Sequence, residues 1–407
     1  MIDQIVLKNG IRLVHQQVDS PVAHCALIVN VGARDELKGE EGLAHFIEHV
    51  IFKGTSKRKA YHILNRLECV GGELNAFTTK EITCIYATYL NEFYERAFEL
   101  ISDISFNSTF PQKELEKEKD IIIEEIYSYK DSPYDLIYDE FEEHIFSGHS
   151  LGRNILGDPE HVRKITKEEV LEFVKRNYNT DQMVLSSVGN FDIKKVEKLA
   201  NKYFGAAPKR IDKEEREPLN KYEPFNIMME KTTFQTHSMI GSRAYPRGHK
   251  KRLALVLLNN YLGGPGLNSR LNLMVREKHG YAYQIESFYH HYTDTGIWGI
   301  YMGTSNDTLV KAIDLVMKEL KELREKKLGA SKLRSAKTQM IGQIAINFES
   351  NLNKMLSMGR SFIMEKKIDT LSSINSRIEA ITAEDIQDVA NEIFAAEKIS
   401  TLIYKSQ

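Results

Sequence analysis

Gly42-Leu43-Ala44-His45-Phe46-Ile47-Glu48-His49-Val50-Ile51-Phe52 is an apolar run interrupted by two imidazoles and one carboxylate. Wound as a helix at about 100° per residue, it puts His45 and His49 one turn apart on one face, with Glu48 about 60° to the side of His45. Two imidazoles at that spacing can bind one Zn²⁺, and the carboxylate beside them can accept a proton from water. With 13 histidines in the chain, chance would produce a His-x-x-Glu-His match on the order of a few hundredths of a time. The stretch is therefore read as a metal-binding helix and not as an ordinary core helix.

Zinc in a hydrolase needs a third protein ligand and an open position for water. Periodicity supplies a candidate. In Lys113–Lys130, Leu115, Glu118, Ile122, Glu125 and Tyr129 follow three-then-four spacing and share one helix face, which is otherwise apolar. A carboxylate on such a face needs compensation. Either glutamate could find it in a buried ion pair; taken with the histidines, Glu125 is the third ligand. Glu118, two turns earlier, is placed to accept a hydrogen bond from a ligating imidazole. Glu124 falls with Lys117, Asp120 and Ser128 on a solvated face.

Outward from the motif, the chain reads as α+β in two halves. The charged, proline-bounded stretch Pro208–Pro218 marks a linker, giving a zinc-bearing domain over 1–207, a linker over 208–222 and a second domain over 223–407. In the first half a strand (25–31) leads to the histidine helix (42–52) and then to 64–72. Strands at 73–77 and 83–90 follow, then a helix (94–105). The second half repeats the order: a strand at 236–241, helical stretches at 252–262 and 271–279, strands at 283–289 and 296–303, and a helix at 308–321. Helices alternating with antiparallel strand pairs predict, in each half, a mostly antiparallel sheet with helices packed on one face. The shared order reads as an internal duplication.

Composition narrows the classes. The chain has 407 residues, 42% apolar and 28% charged, with a formal net charge of −2. Near-neutrality gives no support for nucleic acid or an anionic membrane as a partner, and no apolar run approaches a membrane span. Residues 1–14 alternate like a strand around Asn9-Gly10 and lack the pattern of a secretory signal. Cys25, Cys69 and Cys84 are widely spaced and odd in number, as in a reduced protein. Cytoplasmic location is the expectation.

Four stretches together carry a resemblance: Gly42–Thr55, Gly71–Thr78 (with Gly71-Gly72 and Asn75-Ala76), Glu118–Glu125 and Leu151–Gly157. They resemble the inverzincin (M16) family that contains insulin-degrading enzyme, pitrilysin and mitochondrial processing peptidase, and the length is similar to its processing-peptidase-like subfamily. The resemblance implies one zinc per chain, held by His45, His49 and Glu125, with Glu48 as the proton shuttle. It implies that Asn75 and Ala76 lie on a sheet edge to which the peptide substrate adds as a strand. In the second half, Arg276–Tyr283 is similar to the family segment whose Arg and Tyr, here Arg276 and Tyr283, stabilise the carbonyl oxygen. It further implies two homologous domains facing each other across a chamber, and a zinc endopeptidase acting on extended or unfolded peptides. The alternative is a catalytically silent member acting as a scaffold or peptide-binding subunit. A homodimer is one assembly open to either.

Overall fold

Strand β3 (Val22–Val29) is apolar at almost every position, and the reason lies on both sides of it. In the computed structural model, which describes residues 2–209 and 215–407, β3 sits inside a six-stranded sheet. The other strands are β1 (Ile2–Val6), β2 (Arg12–Gln17), β4 (Glu73–Thr78), β5 (Thr83–Leu90) and β6 (Met183–Gly189), in the order β1-β2-β6-β3-β5-β4. Only β2 and β6 run parallel. Residues 210–214, within the linker expected at 208–222, lie outside the described residues.

Successive side chains of a strand point to opposite faces, and both faces of this sheet are packed. Ala23, Cys25, Leu27 and Val29 join a core with the helices α1 (Leu43–Val50), α2 (Ala60–Glu68), α3 (Tyr94–Phe106) and α4 (Gln112–Lys130). Ala26 and Ile28 point the other way, into a smaller core with Met355, Met358, Phe362 and Ile363 of the helix Asn351–Glu365. Helices alternating with antiparallel strand pairs predict helices on one face of the sheet. The second face is covered too, by a helix some 170 residues away from the nearest strand it covers, as the Ser186 hydroxyl donating to the Met355 carbonyl at 2.6 Å shows.

The second sheet has the order β7 (Asn226–Lys231), β11 (Ser400–Ser406), β8 (Thr236–Ala244), β10 (Gly296–Thr304), β9 (Ala282–His291). It begins with a parallel pair, β7/β11, and is otherwise antiparallel, which matches β2-β6-β3-β5-β4 of the first sheet position by position. Along β10, Trp298, Ile300 and Met302 face one core, while Ile297 and Tyr301 face another made with Ile137, Phe141 and Ile145 of α5 (Pro133–Ile145). Two compact units result. The first is Met1–Tyr127, Arg153–Glu217 and Ile346–Ile368; the second is Ser128–Gly152, Pro218–Ala345 and Asp369–Gln407. Each half of the sequence lends a helix to the unit built mainly from the other half. No helix is long and apolar enough to cross a membrane among the described residues.

The helix Asn351–Glu365 approaches its sheet closely at Gly359, where a Cβ would stand 2.9 Å from Ser186 Cβ and collide with Ile28. Gly359→Val should therefore destabilise the protein by about 1–3 kcal/mol through overpacking, seen as a lower urea midpoint. An unchanged midpoint would mean the contact yields freely.

Candidate metal centre

The imidazoles sit on a helix whose start is fixed by a buried acid. Glu36 Oε1 accepts the Ala44 N–H at 2.8 Å and Oε2 accepts the Gly42 N–H at 3.2 Å, so its carboxyl caps the otherwise unpartnered donors of α1. Burial pushes the Glu36 pKa well up against the pull of these N–H groups and of Arg153. Gly42 has φ 91, and a side chain there would stand 2.7 Å from the Leu156 carbonyl; Gly157, at φ 72, is equally confined by the Glu41 carbonyl at 2.5 Å. The 153–157 loop thus packs hard against the start of α1, which accounts for Gly157 in the sequence pattern. The apolar positions Phe46, Ile47 and Val50 seat the helix in the main core.

His45 is buried, and its Nδ1 has no hydrogen-bond partner among the described residues. Its Nε2 comes 3.9 Å from Glu125 Oε2, and His49 Nε2 comes 3.4 Å from the same oxygen. The three candidate ligand atoms lie within 4.8 Å of one another. Burial, and then the neighbouring His49, hold the His45 pKa down to about 3, so its ring is neutral and keeps a lone pair at any working pH. With its proton on Nδ1, His45 leaves the Nε2 lone pair on the side of Glu125, where a metal ion would take it. Two imidazole nitrogens and a carboxylate oxygen converging this way fit Zn²⁺.

On α4, Glu118 and Glu125 both face α1, while Glu124 is exposed, as the three-and-four spacing predicts; Tyr129, assigned to the same face, is 43% exposed. Glu118 Oε2 lies 3.3 Å from His49 Nδ1, and Lys53 Nζ lies 2.7 Å from Glu118 Oε1. Burial works to raise the Glu118 pKa, but the hydrogen bond to His49 and the pairing with Lys53 outweigh it, and the carboxyl sits below its ordinary value. It is therefore an acceptor that holds His49 Nδ1–H and turns Nε2 toward Glu125. Lys53 follows His49 by one more helical step of four, so α1 and the residues just after it meet α4 in two rungs.

Glu48 is not in the ligand cluster. Burial raises its pKa, opposed by the hydroxyl and N–H of Thr78 at the end of β4 and by His49, and reinforced by Glu125. The Thr78 hydroxyl is buried and completes no hydrogen bond of ordinary geometry, so it biases Glu48 from nearby without binding it fully. β4 itself is an edge strand, paired only with β5. Asn75 is exposed on it, and its Oδ1 accepts the Ala76 N–H at 2.8 Å. Glu36, Lys53 and Thr78 were missed from sequence; Glu36 stands in a charged stretch (Asp35-Glu36-Leu37-Lys38) that looks solvated.

Arg276 and Tyr283 belong to the second unit. The helical stretch expected at 271–279 is π-wound over Asn272–Lys278, with the Asn272 side chain donating to the Leu267 carbonyl. Single π turns recur at functional positions. The Arg276 guanidinium lies 5.8 Å from the centre of the Tyr283 ring, and Tyr283 is 75% exposed. An ordinary core aromatic would not be.

Comparison with known proteins gives one answer. Residues 12–159 match the family profile of Insulinase (Peptidase family M16), and residues 164–340 match that of the Peptidase M16 inactive domain. An uncharacterized zinc protease of Bacillus subtilis, YmxG, is 33% identical over 412 residues, covering 100% of this chain and 99% of its own. One from Rickettsia felis is 34% identical over 403 residues, covering 98% and 96%. In fold, the chain is similar to a protease from Helicobacter pylori (TM-score 0.91, 21% identity, 100% and 99% covered). It is similar also to a peptidase M16 inactive domain from Pseudomonas fluorescens (TM-score 0.93, 20% identity, 100% and 98% covered).

The geometry ranks four residues by their effect on zinc affinity, measured by titration against a chromophoric chelator. Glu125→Gln should weaken binding most, and Glu124→Gln should leave it unchanged. Glu118→Gln and Lys53→Met should each weaken it about 10- to 100-fold, as removal of an outer partner does. Equal losses for Glu124 and Glu125 would overturn the assignment.

Proposed function

This chain belongs to the M16 peptidase family, and we propose that it is a zinc-dependent endopeptidase acting on extended or unfolded peptides. The convergence of His45 Nε2, His49 Nε2 and a Glu125 oxygen within 4.8 Å, with Glu48 beside them, carries the proposal. Zinc, when bound by these three, supplies Lewis-acid activation of water and of the peptide carbonyl.

What the chain's own residues contribute follows from their surroundings. Glu48, its pKa raised by burial, accepts the proton that water gives up as its oxygen bonds to the carbonyl carbon. The same carboxyl then passes that proton to the amide nitrogen as the C–N bond breaks. His45, fixed neutral, holds the metal without competing for the proton. Glu118 and Lys53 keep His49 in one tautomer. The free edge of β4 favours a substrate that lies as an added strand, bound through its main chain and tolerant of side chains. Arg276 and Tyr283 are proposed to stabilise the oxyanion that forms on the carbonyl, on the strength of their segment's resemblance.

Glu48→Gln should retain zinc and lose turnover by about 10²- to 10⁴-fold, because the amide accepts no proton. A strong chelator should abolish cleavage by the parent protein. A silent scaffold or peptide-binding subunit would bind peptides and yield no chelator-sensitive product. Arg276→Ala or Tyr283→Phe should lower turnover about a hundredfold at normal zinc content; parental rates would remove both from the reaction.

Strand addition also makes a statement about substrate form. One sequence offered as a free peptide should be cut, and the same sequence held as a loop on a stable domain should survive, since it cannot present a strand without local unfolding. Equal rates, followed by mass spectrometry of the products, would rule out strand addition.

A further inference from the structure

Glu286 on β9 is a carboxylate that the protein holds firmly and does not neutralise. Tyr134 and Tyr138, one helical turn apart on α5, both donate their hydroxyls to its Oε1 at 2.8 Å. Gln284 reaches the same oxygen at 3.4 Å. The tyrosines are themselves fixed: Tyr134 meets Tyr301 edge-on at 4.9 Å between ring centres, and Tyr138 stacks on it at 5.6 Å. Burial and the Glu286 charge push the Tyr138 pKa up, so its hydroxyl stays a donor. All these donors crowd one oxygen, and Oε2 accepts nothing among the described residues.

No lysine, arginine or histidine among the described residues pairs with Glu286. It lines, with Arg276, Tyr283, Gln284 and Ile285, a cavity of about 280 Å³ in the second unit. Arg276, the cation on that wall, pairs with Glu277 at 3.8 Å instead. β9 is an edge strand, so the backbone beside the cavity is open on one side as well. A partly buried carboxylate with a fixed orientation, one free oxygen and no counter-charge has its desolvation already incurred, and a cation entering the cavity would gain a charge-assisted hydrogen bond.

We propose that Glu286, oriented by Tyr134 and Tyr138, is a subsite for the side chain of a lysine or arginine in the bound peptide. The proposal rests on the peptidase reading above, because Arg276 and Tyr283 line the same cavity. A purely structural role, pinning α5 to β9, would need only a hydrogen-bond acceptor at this position. Glu286→Gln keeps an acceptor and removes the charge, which separates the two.

The test is binding, measured by fluorescence anisotropy on the full chain carrying Glu48→Gln so that nothing is cut. The probes are labelled 20-residue neutral peptides with a single Lys, norleucine or Glu stepped along the sequence. At one position Lys should bind about tenfold tighter than norleucine, the scale of a hydrogen bond to a charged group. Adding Glu286→Gln should erase that preference, and Glu286→Lys should transfer it to the Glu peptide. Equal affinities for Lys and norleucine at every position would overturn the proposal without any Glu286 variant. So would a Lys preference that survives Glu286→Gln. Cleavage by the parent protein, followed separately, distinguishes the two failures. Lys preference without cleavage sinks the peptidase reading alone, and cleavage without Lys preference sinks the subsite alone.

Discussion

Polar groups brought together between α1 and α4, His45 and Glu118 among them buried, constrain the first unit. His45 Nδ1 has no hydrogen-bond partner among the described residues, and Glu125 and Glu118 sit on the face of α4 that carries Leu115 and Ile122 into the core. Groups of that kind destabilise a fold unless they satisfy one another or a bound ion. The arrangement answers this in two rungs. One is closed within the protein, Lys53 to Glu118 to His49; the other brings His45, His49 and Glu125 together as the proposed ligands of a cation.

A site held to that tolerance needs rigid supports, and the fold supplies them at both ends of α1. Glu36 and the 153–157 loop fix where the helix starts, and the sheet fixes how it lies. The sheet in turn is packed on both faces. Its second face depends on the helix Asn351–Glu365, which closes the core under β3, β5 and β6 and lays Arg360 4.9 Å from the centre of the Phe77 ring on β4. Thr78 ties the last link, since the edge strand β4 ends beside Glu48.

Much of this was legible in the sequence, for reasons that differ residue by residue. The histidine helix and the face of α4 could be read because helical period is a local property, and polar residues in apolar stripes stand out against it. The strands β4, β5, β9 and β10 follow from alternation bounded by turn residues, and they came within one or two positions of their observed ends. Long-range choices could not be read. The apolar faces of α5 and of Asn351–Glu365 announce burial but not which sheet they bury against. The π winding at Asn272–Lys278 leaves no periodic trace in the sequence. Glu36 and Lys53 look like surface charges until the partners that bury them, separated in sequence, are brought alongside.

The proposed zinc site has two imidazoles and one carboxylate of the first unit and no thiolate. Zinc K-edge X-ray absorption on the purified protein tests it directly. His45, His49 and Glu125 as ligands predict a first shell of nitrogen and oxygen only, at about 2.0–2.2 Å, with the outer scattering of two imidazoles. A sulfur shell at about 2.3 Å, or scattering from fewer than two imidazoles, would contradict it.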